Sequence, residues 1–537
     1  VKLLSWRPWR HSSSTGARGR TVAANAAIVA LAFAASRVLG MVREIIIAAR
    51  FGTGETYDAY IAAFRIPDLL FFIVMSGAFG SAFIPVFGGY LAQGDEERAW
   101  RLANTLLTWI VVAFLIVAQL IFLFAPQLVG TVIAPELSAE SQELAVNLTR
   151  LLLLSPLLLG LGAAAKGMLE AQDAFTLPAI APILYNLGII FGAIALAPVF
   201  GIYGLAAGVI IGALAHVTIQ FASLFRRGLR VRPSFSRHVD GLGEVARLMG
   251  PRILGQSASQ VNLIVMVNFA SRLGEGSISS LSYAQHLVLL PHGILAMSLS
   301  TVIFPRMARE FATGDVDALR RTLANGLGPL VFLTLPAAIC LFVFRTSIVQ
   351  VVFQYGSFSA ESTALVAEAV GFFAVGLLAR ALIEPITRAF YAMHDTRTPV
   401  IVAIVMILAN IGLSWLLAPR LGHGGLALSL SITYTIRMVV VLAILSGRTG
   451  GVARDLAVSI RRMAPPAAIL TGVSLAIMQP LVRVTDPNNG RTVIDYSLFA
   501  LALVVASGVY LLASWLLRLP EFYRFVNIVQ HRVSRAE

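Results

Sequence analysis

The chain has 537 residues, of which 58% are hydrophobic and only 13% charged, with a mean hydropathy of +0.82. Soluble domains carry about 25% charged residues, so a soluble globular protein is excluded. Apolar runs of about 20 residues recur along nearly the whole length, which also excludes a β-barrel with its short alternating segments.

The net charge of +14 sits mostly in short loops between apolar runs. That pattern fits membrane topology and attraction to anionic lipid head groups, not nucleic-acid binding. A single cysteine, Cys340, rules out an internal disulfide and any multi-cysteine metal site.

Residues 1–21 form a basic tail, with Lys2, Arg7, Arg10, Arg18 and Arg20 among Ser and Gly. The run from 22 to 49 is too long for a signal peptide and lacks a clear cleavage site, so it reads as a retained first helix with a cytoplasmic N-terminus. Further spans are predicted near 57–90, 100–124, 142–170, 177–198, 202–225, 245–271, 276–308, 319–344, 362–393, 398–418, 424–446, 456–478 and 493–517. The fold class is thus an all-α polytopic membrane protein with about fourteen transmembrane helices and both termini cytoplasmic. Most of the 41 Lys and Arg then fall on the cytoplasmic side, as the positive-inside rule requires.

The halves repeat. SRVLG at 36–40 is echoed by PRILG at 251–255, and Gly54-Glu55 by Gly274-Glu275. Ala92-Gln93-Gly94-Asp95 recurs as Ala312-Thr313-Gly314-Asp315, and Gly201-Ile202-Tyr203-Gly204-Leu205-Ala206 as Gly422-His423-Gly424-Gly425-Leu426-Ala427. All are spaced by nearly one offset. Each unit holds six spans, an even number, so both insert in the same orientation. This predicts two parallel six-helix lobes around a central cavity. The expected organisation is the tail 1–21, an N-lobe 22–226, a basic linker 227–244, a C-lobe 245–447, two extra helices in 448–518 and a cytoplasmic tail 519–537.

Charge inside the first two spans stands out: Arg37, Arg43, Glu44, Arg50, Asp58, Arg65 and Asp68. A charged side chain at membrane depth costs about 2.5–3.5 kcal/mol on insertion scales, so it faces a bundle interior or a wet cavity. Buried arginine suits an anion, because guanidinium is always charged and grips phosphate with paired donors. The competing reading is internal pairing of Arg37 or Arg43 with Glu44, Asp58 or Asp68. Arg252, the repeat-mate of Arg37, favours the anion. Asp58 opens the second helix, where its charge also suits a helix dipole. Arg65 and Asp68, three apart, are placed to pair.

Arg380, Glu384 and Arg388 form an i, i+4 ladder read as a self-neutralised strip, and Lys166–Glu170 is a second such pair. His216 and His292 read as packing residues. Asp315-Val316-Asp317 matches a DxD pattern but follows Gly314 and reads as a solvated turn. Pro67, Pro85, Pro156, Pro291, Pro305, Pro336 and Pro385 lie inside spans and permit kinks; Pro67 and Pro291 are gating candidates. There is no GxxxxGK[ST] loop and no nucleophile or metal-ligand constellation, so the reading is movement across a membrane and not an enzyme.

SRVLGMVRE at 36–44, FGTGETYDAY at 51–60, FRIPDLL at 64–70 and GAFGSAFIPVF at 77–87 resemble the MurJ/MviN family, the lipid II flippases of bacterial cell-wall synthesis. The resemblance continues through LMGPRILGQSASQ at 248–260, VIFPRMARE at 302–310 and FYAMHDTRTPV at 390–400. It implies a cationic cavity that takes the pyrophosphate of a lipid-linked glycan, with the polyprenyl tail along a groove formed by the last two helices. Carried over by motif, Arg37, Arg43 and Asp58 belong to that cavity, joined by Arg65, Arg252 and His286, with Glu44, Ser76, Pro67 and Pro291 as further cavity or gating positions.

Three departures from the family stand out. Phe71 and Phe72 stand where arginine is common, Ser76 where Glu is common, and His286 where the family has arginine. A histidine there makes binding pH-sensitive. The implied substrate is lipid II or a similar undecaprenyl-pyrophosphate glycan; the alternative is another polyprenyl-linked glycan or the substrate of a multidrug-type antiporter of the same superfamily. Transport would draw on the membrane potential or a Na+/H+ gradient, with no cofactor. The expected setting is the bacterial cytoplasmic membrane, with anionic lipids and cell-wall enzymes as partners and no nucleic acid.

Overall fold

The structure is a computed structural model that describes residues 15–75, 83–236, 243, 260–484, 493–524 and 526. The secondary structure described is helical throughout. The helices are α1 (Thr15–Phe51), α2 (Glu55–Met75), α3 (Ile84–Ala92), α4 (Glu96–Gln127), α5 (Ala139–Leu152), α6 (Leu154–Glu170), α7 (Thr176–Phe191), α8 (Ala197–Phe200), α9 (Ile202–Arg226) and α10 (Gln260–Ala270). They continue as α11 (Ser277–Pro291), α12 (Ser298–Ala312), α13 (Val316–Val343), α14 (Arg345–Phe353), α15 (Ala360–Ala392), α16 (Arg397–Thr449), α17 (Val452–Val484) and α18 (Val493–Leu516).

Among the described residues, nine helical stretches are long and apolar enough to cross a membrane. The chain is a polytopic all-α membrane protein.

The predicted spans mostly coincide with these helices, with informative breaks. The stretch predicted as one helix over 142–170 is interrupted at Leu153 between α5 and α6. The one predicted over 276–308 opens into a wide π-helical turn at His292–Met297, directly after Pro291. Proline lacks the N–H that a regular turn would donate, so the ladder slips there. The predicted second span, 57–90, is helical in α2 and α3, and its middle lies outside the described residues.

α16 holds 53 residues. A straight helix of that length would measure about 80 Å, against about 30 Å of bilayer core. Gly422 breaks it, with φ 55° and ψ −143°. Beyond the break the chain folds back. Ser429 Oγ donates to the carbonyl and side-chain oxygens of Asn410, and Ser414 and Ser429 hydroxyls lie 2.9 Å apart. α16 is therefore two arms, matching the separate spans at 398–418 and 424–446.

The chain divides into two compact units. One comprises Val1–Arg43, Val74–Val117 and Leu153–Arg252; the other comprises Glu44–Ile73, Ala118–Leu152 and Ile253–Glu537. In the first unit, α7 and α9 touch through glycines spaced by four. A Cβ on Gly188 would fall 2.3 Å from the Gly212 Cα, and one on Gly192 would fall 2.6 Å from the Gly208 Cα. Small residues at this spacing let membrane helices approach to backbone contact.

His216 packs against Gly162, where an added Cβ would meet its ring at 2.5 Å, which supports its reading as a packing residue. The linker after α9 lies along α4. Asn104 donates to the Arg230 carbonyl and accepts from the Arg232 N–H, each at 3.0 Å, and Thr105 binds the Ser234 hydroxyl at 2.9 Å.

The second unit is built on a core of α13, α15, α16 and α17, with Leu323, Val331, Phe332, Leu382, Phe390 and Leu445 buried. α18 is tied to it by Tyr510, whose hydroxyl donates to the Phe332 carbonyl at 3.0 Å. Arg380, Glu384 and Arg388 do not neutralise one another. Among the described residues they form no ion pair, and the Arg380 guanidinium lies 5.1 Å from the Tyr434 ring centroid. A cation over an aromatic face competes with a carboxylate partner when both are available. Lys166 and Glu170 do approach, at 3.7 Å.

At the α15–α16 turn, Asp395 accepts from the Thr398 hydroxyl at 2.6 Å and from Arg448 at 2.6 Å. Partial burial alone raises its carboxyl, but these bonds outweigh it and hold the group down at about 2.

One of the repeated sequence signatures takes the same local geometry in both places. Asp95 caps α4 by accepting from Arg98 N–H at 3.0 Å, and Asp315 caps α13 by accepting from Ala318 N–H at 2.7 Å. The preceding glycines, Gly94 and Gly314, share φ 77°. Asp317 is exposed and approaches Arg320 at 3.9 Å, so the DxD is a helix start.

Candidate functional site

The predicted cavity residues fall in both units, and each unit has its own polar centre. In the first, Arg43 of α1 donates from Nη1 to Asn186 Oδ1 on α7 at 3.0 Å. Asn186 is itself fixed, since its amide nitrogen donates to the carbonyls of Pro182 at 3.1 Å and Ser36 at 3.3 Å. The Asn186 amide is a neutral partner, so this bond itself brings no negative charge to the guanidinium. Arg37 is exposed on the same helix, its guanidinium 5.9 Å from the Phe33 ring centroid.

In the second unit, α11 is the hub. Asp58, 1% exposed, accepts from the backbone N–H groups of Gly276 at 2.9 Å and Ser279 at 2.7 Å. The carboxylate thus caps the N-terminus of α11, where partial positive charge and unpaired donors favour an anion. Asp58 lies in the first turn of α2, as expected, and its carboxylate also serves the start of α11.

Gly276 is required at this junction. Its φ is +79°, and a Cβ would lie 3.3 Å from Leu365 Cδ1. The repeat signatures meet beside it: the Glu55 N–H donates to Glu275 Oε1 at 3.3 Å. Glu55 also accepts from Ser138 and Ser141 hydroxyls at 2.8 and 2.9 Å, which secures α5. Tyr283 is fully buried, donates to the Gly52 carbonyl at 3.2 Å and stacks on Tyr57 at 5.2 Å.

One turn along α11, His286 Nδ1 lies 3.7 Å from Glu44 Oε2 of α1. Glu44 is buried, and His286 is half-exposed. The pair is an ion pair only when the imidazole is protonated.

Arg65 is half-buried in α2, with its Nε enclosed and without a hydrogen-bond partner, and Asp68 is near enough to interact with it electrostatically. Pro67 is buried, and Pro291 is half-buried where α11 gives way to the wide turn. Phe71 and Phe72, where the resemblance leads one to expect arginine, contact edge to face at 5.6 Å. Arg252 and Ser76 lie outside the described residues.

Sequence reasoning missed Asn186, Gly276 and Tyr283. A polar Asn within the apolar run 177–198 was the available signal for the first, since amides inside a membrane seek partners.

This helical architecture has counterparts among solved membrane proteins. It matches a solved structure of the lipid II flippase MurJ in an inward closed conformation, with a TM-score of 0.75 and 24% identity over 93% of this chain and 99% of that one. It also matches an inward-facing multidrug resistance MATE family transporter of the MOP superfamily, with a TM-score of 0.65 and 15% identity over 78% of this chain and 96% of that one.

Sequence narrows the class to a family. The model of the MurJ family, described as lipid II flippase MurJ, matches residues 47–485. Relatives include the probable lipid II flippase MurJ of Buchnera aphidicola, 34% identical over 402 residues covering 74% of this chain and 78% of the relative. The lipid II flippase MurJ of Burkholderia cenocepacia is 32% identical over 405 residues, again 74% and 78%. The chain belongs to the MurJ family.

Proposed function

We infer that this chain flips lipid II across the bacterial cytoplasmic membrane by alternating access, and that it is a transporter and not an enzyme. The family membership carries this reading, and an arginine placed within an apolar span supports it: Arg43, bound by Asn186 at 3.0 Å. The head group of a lipid-linked glycan is large and anionic, so it needs a closable wet path, while its polyprenyl tail stays in lipid.

In this reading the chain has fourteen transmembrane helices. Two parallel lobes, 22–226 and 245–447, flank a cavity; the helices within 448–518 guide the tail; and both termini are cytoplasmic. The pyrophosphate is held by Arg37, Arg43, Arg65 and Arg252, and protonated His286 strengthens the field where the family has arginine. Asp58 secures α11 and so positions the charged face, with Pro67, Pro291, Glu44 and Ser76 in the moving parts. The likeness of fold to MATE transporters supports a drive by ion gradient or membrane potential.

The reading is tested with purified full-length protein in liposomes carrying fluorescent lipid II. Inner-leaflet label should become accessible to a membrane-impermeant quencher faster than in protein-free liposomes, and Arg43→Ala should abolish the increase. An unaltered rate with the wild-type protein contradicts the reading. Transfer of a different polyprenyl-pyrophosphate glycan in the same assay selects the alternative substrate, an alternative motivated by Phe71, Phe72 and His286.

A further inference from the structure

Within the second unit, the end of α13, all of α14 and the first half of α15 enclose a cavity of about 620 Å³. It is lined by Phe342, Arg345, Gln350, Glu368 and Phe372, among others. The volume is in the range of small-molecule sites, roughly 300–1,000 Å³, and the walls have the usual mixture of aromatic surface with a few polar groups. None of these residues belongs to the centres described above.

Both charges are seated by glycines. Gly371 on α15 makes room for Arg345, because a Cβ there would lie 2.9 Å from Arg345 Cδ. Gly424 makes room for Glu368 and Phe372, because a Cβ there would lie 2.6 Å from Glu368 Oε1 and 2.7 Å from the Phe372 ring.

Arg345 and Glu368 line the same cavity, yet they form no ion pair among the described residues. Arg345 spends one nitrogen, Nη1, on the Phe342 carbonyl at 2.8 Å, which fixes the guanidinium and leaves Nε and Nη2 without a hydrogen bond among the described residues. The Glu368 carboxylate has His423 Nε2 at 3.9 Å, but that nitrogen is 2.9 Å from the Leu365 carbonyl. A cation anchored by the Phe342 carbonyl and a half-exposed carboxylate that share a cavity without pairing present complementary sites to one molecule that carries both charges.

We propose that this cavity binds a zwitterion of the phosphoethanolamine type, with its phosphate on Arg345 and its ammonium on Glu368. The planar fork of arginine suits phosphate oxygens, and a carboxylate accepts from an ammonium. The cavity lies where α13 ends and α15 begins, and Phe342 and Tyr355 are exposed there, as aromatic side chains are at a membrane boundary. The same group reaches such a place from two sources, the head group of a phospholipid or a free glycerophosphodiester. The proposal does not depend on which lipid-linked substrate the protein carries.

The test uses the full-length protein in detergent and titrates glycerophosphoethanolamine, glycerol phosphate and ethanolamine by calorimetry. The zwitterion is expected to bind at least tenfold more tightly than either half. Arg345→Gln and Glu368→Gln should each weaken it tenfold or more, and Ala364→Trp, which fills the cavity while both charged residues are retained, should do the same. Native mass spectrometry then separates the sources. Phosphatidylethanolamine retained by the wild type and lost from these variants assigns the site to lipid; binding of the soluble compound without retained lipid assigns it to the free diester. No preference for the zwitterion, or binding that survives all three substitutions in folded protein, overturns the proposal.

Discussion

Gly201 and Gly422, 221 residues apart, hold the same backbone conformation: φ 57° and ψ −137° at the first, φ 55° and ψ −143° at the second. Each opens a sharp reversal between two antiparallel helical arms. Three residues later the geometry still agrees. A Cβ on Gly204 would fall 2.4 Å from the Leu196 carbonyl carbon, and one on Gly425 would fall 2.5 Å from the Leu417 carbonyl oxygen.

The space around Gly201 and Gly422 is open, with nothing within 4 Å of a Cβ. Alanine at either therefore meets only backbone strain, about 1–3 kcal/mol. Gly201→Ala and Gly422→Ala are each expected to lower the melting temperature of the detergent-solubilised protein by similar amounts. Equal stability of both variants and the wild type would show that these reversals tolerate a side chain.

The repeat was legible because it is written in turn chemistry. Gly94-Asp95 and Gly314-Asp315 must supply a positive φ and a helix cap, so their identity survives in both halves. The long apolar runs announced the helices in the same way. The polar centres were not legible, because their partners are remote. Arg43 meets Asn186 143 residues away, and Asp58 meets the N–H groups of Gly276 and Ser279 more than 200 residues away. Spacing along one helix also misled at Arg380–Glu384–Arg388, where an aromatic ring on α16 takes the cation instead.

Asp58 carries the start of α11. Asp58→Ala leaves two buried N–H groups unpaired, a cost of about 1–3 kcal/mol for each group so orphaned. Asp58→Asn keeps one acceptor oxygen. The expected order of melting temperature is wild type, then Asn, then Ala, with hydrogen exchange at the first turn of α11 fastest in the Ala variant. Unchanged exchange in that turn would show that the cap is dispensable.

Glu44 and His286 should be energetically coupled. A double-mutant cycle of Glu44→Gln and His286→Ala, read by chemical denaturation, is expected to give a coupling of about 0.5–3 kcal/mol. A coupling of zero would show that the 3.7 Å contact contributes nothing to stability.

At the α15–α16 turn, the Asp395 carboxyl is held at about 2, below its usual range, by Thr398 and Arg448 after partial burial has been overcome. A depressed carboxyl stabilises the fold above its unfolded value and loses that contribution as pH falls toward the folded one. Asp395→Asn should thus cost stability at neutral pH, and the difference from wild type should shrink as pH falls from about 4 toward about 2. A difference that stays constant with pH would assign the effect to packing.

The central claim is that fixed positive charge on α1 serves the crossing of a lipid-linked diphosphate. The most direct measurement is rescue of a bacterial strain depleted of its own lipid II flippase, with membrane levels of each variant checked by immunoblot. The wild-type chain should restore growth and cell shape, while Arg37→Ala and Arg43→Ala, present at equal levels, should not. Full rescue by both arginine variants would contradict the account.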